Sequence, residues 1–273
     1  KMAEWFAPRF PIHMSSNRLD ATIGNSAYFA IFCLMFIFIT ALMWTQAKER
    51  NQKLFYIVVM VLNLIGLLYS GTRGTMIGLL FGGLLTLGIV AWKEKGKVRQ
   101  YFIAGLIVLL ISVSSIFIFK NSSLVKSSSI LSRIATISPN DVTGASRLAM
   151  WTISYQAWKE SPILGYGQDN FSHVFARKFL PERMCNLEPW YDRSHDVFFD
   201  WLVAGGTLGL LTYLSLYGVA LSLMWRKEND VPLREKAILS GMILGYFIHN
   251  IFVFDNLTSY ILFAALLAYI VVR

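Results

Sequence analysis

The sequence is short of charge and of cysteine. Only 15% of its 273 residues are Asp, Glu, Lys or Arg, whereas 55% are hydrophobic. One soluble core could not hide that much apolar surface, so a membrane is the natural solvent. The two cysteines, Cys33 inside an apolar run and Cys185 in a polar loop, belong at different depths, which excludes a disulfide scaffold and a Cys-based metal site. Internal repeats, sustained heptads, a phosphate-binding glycine loop and a dinucleotide fingerprint are absent too. Gly165-Tyr166-Gly167 is too short to serve as one and reads as a turn. The chain opens on Lys1, and Ala3 to Ile23 holds no basic segment followed by an apolar stretch and cleavage site, so it reads as a fragment of a longer protein.

What the sequence has is apolar length. Runs able to cross ~30 Å of hydrocarbon lie at 26–45, 54–70, 74–92, 101–119, 197–225, 237–254 and 257–272. The expected fold is therefore an all-α integral membrane protein with about seven transmembrane helices. The net charge of +9 does not point to nucleic acid, because the basic residues form short clusters between apolar runs. Lys48, Arg50 and Lys53 make one such link, Lys93, Lys95, Lys97 and Arg99 a second, and Arg226, Lys227, Arg234 and Lys236 a third. All three fall on one side if each run crosses once, and basic loops are cytoplasmic.

Alternation then places the N-terminal segment, the Gly71-Thr72-Arg73 turn, the stretch from Lys120 to His195 and the link at Asp255 and Asn256 on the outer side. The positive charge of the long loop is no obstacle, because loops beyond ~60 residues translocate largely regardless of charge. The chain thus divides into 1–119, an outer segment with four membrane helices; 120–196, a large extracytoplasmic loop; and 197–273, three further membrane helices. Within the loop, Ser122 to Ser129 is serine-rich and expected to be mobile. Ser146 to Glu160 reads as a short helix capped by Ser146 and stopped before Pro162. Leu148, Trp151, Tyr155 and Trp158 line one face of it, which suits either packing against the loop or rest in the headgroup region.

Three residues stand out as carriers of chemistry. Arg73 sits between two apolar runs with almost no polar neighbours, and ionisable residues at such places are functional hypotheses by default; the bland reading is a snorkelling arginine. Arg147 would open the loop helix, where a cation opposes the helix dipole unless an anion docks there; the bland reading is a solvent-exposed arginine. His195, in Arg193-Ser194-His195-Asp196, stands where a charged loop enters an apolar run. Imidazole can act as a base near neutral pH, with Asp196 or Asp200 raising its basicity, though a boundary histidine can be purely structural. His249 beside Asn250 reads as a helix-packing residue, and His13 and His173 carry no specific signal. Asp169, Glu188, Asp192 and Asp196 are outer-side carboxylates, but without ligand-motif spacing they do not argue for a metal.

Taken in order, Ser70-Gly71-Thr72-Arg73-Gly74, Ser146-Arg147 with Trp151, Pro162-Ile163-Leu164-Gly165-Tyr166-Gly167, and His195 followed by Gly205-Gly206-Thr207-Leu208-Gly209-Leu210 form an ordered signature. It resembles the bacterial O-antigen ligase and polymerase family. Ala21-Thr22-Ile23-Gly24-Asn25 is similar to a stretch that precedes a membrane helix there, with Ser26 where proline is common. Asp196 stands where these proteins often carry asparagine.

The resemblance implies a GT-C-like architecture, with further helices preceding this stretch. It implies a glycosyltransferase that moves a glycan from an undecaprenyl-diphosphate carrier to a hydroxyl on lipid A core, a glycan or a protein. The reaction would be inverting, need no metal or cofactor, and occur on the outer face of the bacterial cytoplasmic membrane. Arg73 and Arg147 would bind the diphosphate, and His195 would remove the acceptor proton or orient the diphosphate. Two other classes compete. In a transporter, Asn63, Asp200 and His249 would mark a solute path; a non-catalytic scaffold would tolerate loss of Arg73 and His195.

Overall fold

The computed structural model of the chain describes residues 13–15, 18–135, 142–178, 190–226 and 230–273. A short antiparallel pair, β1 (His13–Ser15) and β2 (Arg18–Ala21), comes first. Seven helices then fall on the seven apolar runs: α1 (Ser26–Gln46), α2 (Arg50–Ser70), α3 (Arg73–Lys93), α4 (Gly96–Ile118), α9 (Val197–Met224), α10 (Leu233–Asn250) and α11 (Leu257–Val272). Between α4 and α9 lie α5 (Ser123–Ser127), α6 (Ser129–Ala135), α7 (Val142–Glu160) and α8 (Phe171–Lys178).

Five of the seven, α1 to α4 and α9, are long and apolar enough to cross a membrane. A 21-residue helix is about 31 Å long at 1.5 Å per residue, the thickness of the hydrocarbon. The expected count of seven is not reached on this measure: α11 is apolar but has 16 residues, and α10 opens with Arg234, Glu235 and Lys236. No residue of α4 is buried, and Leu54, Phe55, Val58 and Leu62 of α2 are exposed. An apolar surface of that extent fits lipid, because every backbone group of a helix is satisfied within the helix. The chain is an all-α membrane protein apart from its small N-terminal hairpin.

The chain forms two compact units. The first holds 1–137, 224–249 and 256–273. Here Asn25 caps α1, its side chain accepting from the N–H groups of Ala27 (2.8 Å) and Tyr28 (3.4 Å). Helix α1 carries the core with Ala30, Ile31, Leu34 and Met35, and Cys33 is buried among them; Cys185 lies outside the described residues. Helices α3 and α10 meet through glycine. A Cβ at Gly78 would lie 2.5 Å from the Gly245 carbonyl oxygen, and one at Gly82 2.4 Å from that of Gly241. Spacing glycines four apart lets two backbones touch where lipid provides no hydrophobic drive. Further along the same contact the Thr75 hydroxyl pairs with His249 Nδ1 at 2.7 Å, both residues fully buried. His249 is thus a helix-packing histidine, as its place in the sixth run suggested.

The serine-rich segment departs from expectation. It forms α5 and α6, with Ser122 Oγ accepting from Val125 N–H and Ser128 Oγ from Leu131 N–H. Serine is a strong N-cap residue, so the composition that suggested a mobile tract starts two short helices instead.

Candidate functional site

The second unit comprises 138–223 and 250–255. Its core joins Ala149, Met150, Ile153 and Ala157 of α7, Phe171, Val174 and Phe175 of α8, Tyr191, and Val203 of α9. This is a different face of α7 from the aromatic one. Leu148 and Tyr155 are exposed, while Trp151 stacks on Phe199 at 5.8 Å. Helix α7 begins at Val142, one turn earlier than expected, so Ser146 is not its cap and Arg147 lies within the helix. Arg147 therefore does not oppose the helix dipole from the first turn.

The turn after α7 is locked onto α9 chiefly by backbone hydrogen bonds. Tyr166 N–H donates to Val203 O (2.7 Å), Gly167 N–H to Ala204 O (2.9 Å) and Thr207 N–H to Pro162 O (2.8 Å). Trp158 Nε1–H adds a bond to Thr207 Oγ1 at 3.0 Å. Helix α9 breaks at Gly206 (φ 62°, ψ −157°) to receive that turn. The two glycine motifs of the sequence are thus two sides of one joint.

His195 stands just before α9, half-buried, with its backbone in the left-handed region at φ 56°. That conformation is uncommon for a residue with a Cβ, though histidine tolerates it better than most, and such strain persists only where the surroundings enforce it. The enforcement is visible on both sides. Ser194 N–H donates to Asp200 Oδ1 at 2.8 Å, and the Ser194 hydroxyl lies 2.6 Å from the same oxygen. Asp196 Oδ1 accepts from the N–H groups of Phe198 (2.8 Å) and Phe199 (3.1 Å), capping α9. These oxygens hold the loop and the helix end on either side of His195.

The His195 ring lies between two aromatics. Tyr191 meets it edge-on at 5.6 Å, and Phe254 is stacked with it at 5.3 Å and 15°. Phe254 also lies 5.9 Å from the Arg193 guanidinium carbon, and Arg193 pairs with Asp169 at 2.6 Å. Two residues earlier, Phe252 lies beneath Arg147 at 5.5 Å. One short segment, Asn250–Asp255, therefore touches both the arginine and the histidine singled out in the sequence. The apolar run 237–254 concealed it: α10 ends at Asn250, and residues 251–254 leave the helix.

Arg73 belongs to the first unit, where it is the first residue of α3. The turn before it is held by two more arginines. Arg18 Nε donates to Ser70 O at 2.8 Å and its Nη2 to Thr72 Oγ1 at 2.9 Å, while Arg133 Nη1 donates to Gly71 O at 3.4 Å. These donors satisfy carbonyls at the C-terminus of α2 and complement its dipole.

A model of the O-antigen ligase family matches residues 58–214, more than half of the chain. The chain belongs to the O-antigen ligase family. No curated protein matches it. The matched stretch of this ligase-family chain includes Arg73, Arg147 and His195, whereas Phe252 and Phe254 lie beyond it. Of the carboxylates weighed as metal ligands, Asp169 is engaged by Arg193 and Asp196 by a helix end, and Glu188 lies outside the described residues. Among the described residues no three His, Cys, Asp or Glu side chains group as a metal site.

Burial pushes the Asp196 carboxyl up to about 7, opposed by its two cap hydrogen bonds and by the Arg147 charge. The folded chain therefore holds a proton there that the unfolded chain releases near pH 4. The contribution is complete below that pH, shrinks as pH rises and is lost above about 7, at ~1.4 kcal/mol per pH unit. Asparagine caps a helix as well as aspartate but does not titrate. Asp196→Asn is expected to remove this component from the fall in the thermal unfolding midpoint in detergent between pH 5 and 8. An unchanged pH dependence would refute the assignment.

Proposed function

We propose that this chain carries the transfer site of a glycosyltransferase acting on undecaprenyl-diphosphate-linked glycans at the outer face of the bacterial cytoplasmic membrane. The observation that carries the reading is the pairing in the second unit: a histidine in a strained, enforced backbone and an arginine, both set against one aromatic segment. Family membership supplies the class of chemistry, and the three basic links support the orientation.

In this reading an acceptor hydroxyl on lipid A core, a glycan or a protein attacks the anomeric carbon while His195 takes its proton. A new C–O bond forms, the bond to the diphosphate breaks, and undecaprenyl diphosphate leaves with the electron pair. Attack opposite the leaving group inverts the anomeric centre. Arg147 stabilises the departing charge by charge-assisted hydrogen bonds that strengthen as the charge develops. Arg73 receives a diphosphate-binding role from its place in the family signature. Because the leaving group already carries the activation, no metal or cofactor is required. Each polar residue weighed as part of a solute path makes a bond within the protein: Asn63 to Val59 O, His249 to Thr75, and Asp200 to Ser194.

The test is glycan transfer from a synthetic undecaprenyl-diphosphate donor by membranes containing the protein, with EDTA present. Activity should survive chelation and fall at least about 100-fold in Arg147→Ala and Arg73→Ala. Loss of activity on chelation, restored by a divalent cation, would refute the metal-independent mechanism. Arginine variants as active as the parent would remove the diphosphate assignment.

A further inference from the structure

Segment Asn250–Asp255 is bound to α9 by side chains that the transfer chemistry does not use. Asn250, fully buried, donates from Nδ2 to the Tyr213 hydroxyl at 3.0 Å, the Tyr217 hydroxyl at 3.3 Å and Asp255 Oδ1 at 3.3 Å. The Tyr213 hydroxyl lies 2.9 Å from that of Tyr217 and 3.0 Å from Asp255 Oδ2. Trp201 stacks on Tyr213 at 5.4 Å and Phe198 meets it edge-on, so the anchor is packed as well as hydrogen-bonded. Both ends of the six-residue segment are tied to Tyr213, and Asn250 reaches Tyr217 as well. Asn250 Oδ1 is buried without a partner among the described residues, so the hold on the segment comes from the Nδ2 and hydroxyl bonds, each of which would leave a desolvated polar group behind if broken.

What such an anchor holds is the interval between its ends. Phe252 and Phe254 are two apart, and they meet Arg147 and His195 respectively. The Phe254 ring lies 15° from parallel with the imidazole, and Tyr191 meets the same imidazole edge-on. A flat partner limits rotation of the imidazole about its terminal bond, a torsion that is otherwise broad.

We propose that Asn250–Asp255 is a positioning element of the transfer site, in which Phe254 sets the plane of the His195 imidazole and Phe252 sets the Arg147 guanidinium. The inference rests on the reading of His195 and Arg147 given above. Phe254 acts through His195 and touches no reacting atom, so its loss costs orientation rather than proton affinity. Misplacement of a reacting group by a fraction of an ångström lowers turnover far more than it lowers substrate binding.

The experiment compares Phe254→Leu, Phe254→Tyr and His195→Ala in the same donor assay, measuring kcat and KM for the lipid-linked donor and the thermal unfolding midpoint. Leucine keeps apolar bulk but has no flat face, and tyrosine keeps the face. The expected result is a fall of about tenfold in kcat for Phe254→Leu, with KM for the donor within about twofold of the parent and the midpoint retained. Phe254→Tyr should restore most of the turnover. In a His195→Ala background, Phe254→Leu should add no further loss. Phe254→Leu with parental kcat, while His195→Ala is inactive, would overturn the proposal and leave the reading of His195 intact. A parallel fall in midpoint and turnover for leucine and tyrosine alike would also overturn it, since packing alone would then explain the segment. His195→Ala with parental activity would instead remove the reading of the site itself.

Discussion

Replacing His195 with asparagine is expected to lower glycan transfer by roughly 10²–10⁴-fold, the usual contribution of one positioned general base. Membrane insertion and the unfolding midpoint should stay close to those of the parent. Asparagine is the informative substitution because of the backbone. Position 195 sits at φ 56°, where asparagine is among the few non-glycine residues that are at ease. Alanine there would mix loss of the imidazole with backbone strain. His195 is only partly buried and lies outside the core formed by α7, α8 and Tyr191, so shortening it opens no sealed cavity there. What asparagine cannot do is accept a proton from an alcohol near neutral pH. Parental turnover in His195→Asn would sink the general-base assignment, whereas a large loss at constant donor KM would place the defect in the chemical step.

The helices were legible because apolar length is a strong signal. Each of the seven runs became a helix, and glycine at 71 marked the end of α2, where its left-handed φ of 63° closes the last turn. Short-range signals were weaker where one residue type has two uses. Ser146 follows the rule for a cap, yet α7 starts at Val142, and a serine inside a helix looks the same in sequence as one at its end. The stretch Ile251-Phe252-Val253-Phe254 continues the apolarity of α10, and hydropathy does not distinguish a helix from an apolar segment that has turned to pack on charged and aromatic side chains. His195 and Arg147 were visible as residues out of place in their surroundings. Their shared support was not, because it comes from more than 50 residues further along the chain, and only folding brings it back. A sequence signal did exist there: two aromatics flanking one valine between Asn250 and Asp255, two polar residues at the edge of a membrane run.

Gly206→Ala should be the most damaging of the small substitutions, because two separate requirements meet at that position. The first is conformational. The pair φ 62°, ψ −157° belongs to a region that only glycine occupies without strain, which costs another residue about 1–3 kcal/mol. The second is space: an added Cβ would lie 2.3 Å from Ile163 O, 2.4 Å from Ile163 C and 2.7 Å from Leu164 N. All three are backbone atoms of a turn held to α9 by hydrogen bonds, so nothing there yields as a flexible side chain would. Gly165 faces the same joint from the other side, with its Cβ position 2.3 Å from Val203 O and 2.6 Å from Gly206 N. Relief requires the turn to lift, which breaks the bonds from Tyr166, Gly167 and Thr207 at about 1 kcal/mol each. The expected total of roughly 4–6 kcal/mol is a large share of the 5–15 kcal/mol that holds a typical domain folded. Thermal unfolding in detergent checks it. Gly206→Ala and Gly165→Ala should each lower the midpoint sharply, and the double variant should lose less than their sum, because the first substitution already opens the joint. Gly218→Ala supplies the contrast on the same helix. Nothing lies within 4 Å of its Cβ position, and alanine in a helix interior is favoured over glycine by about 1 kcal/mol, so its midpoint should hold or rise. A Gly206→Ala protein that melts with the parent would mean that the turn is not seated on α9 as described.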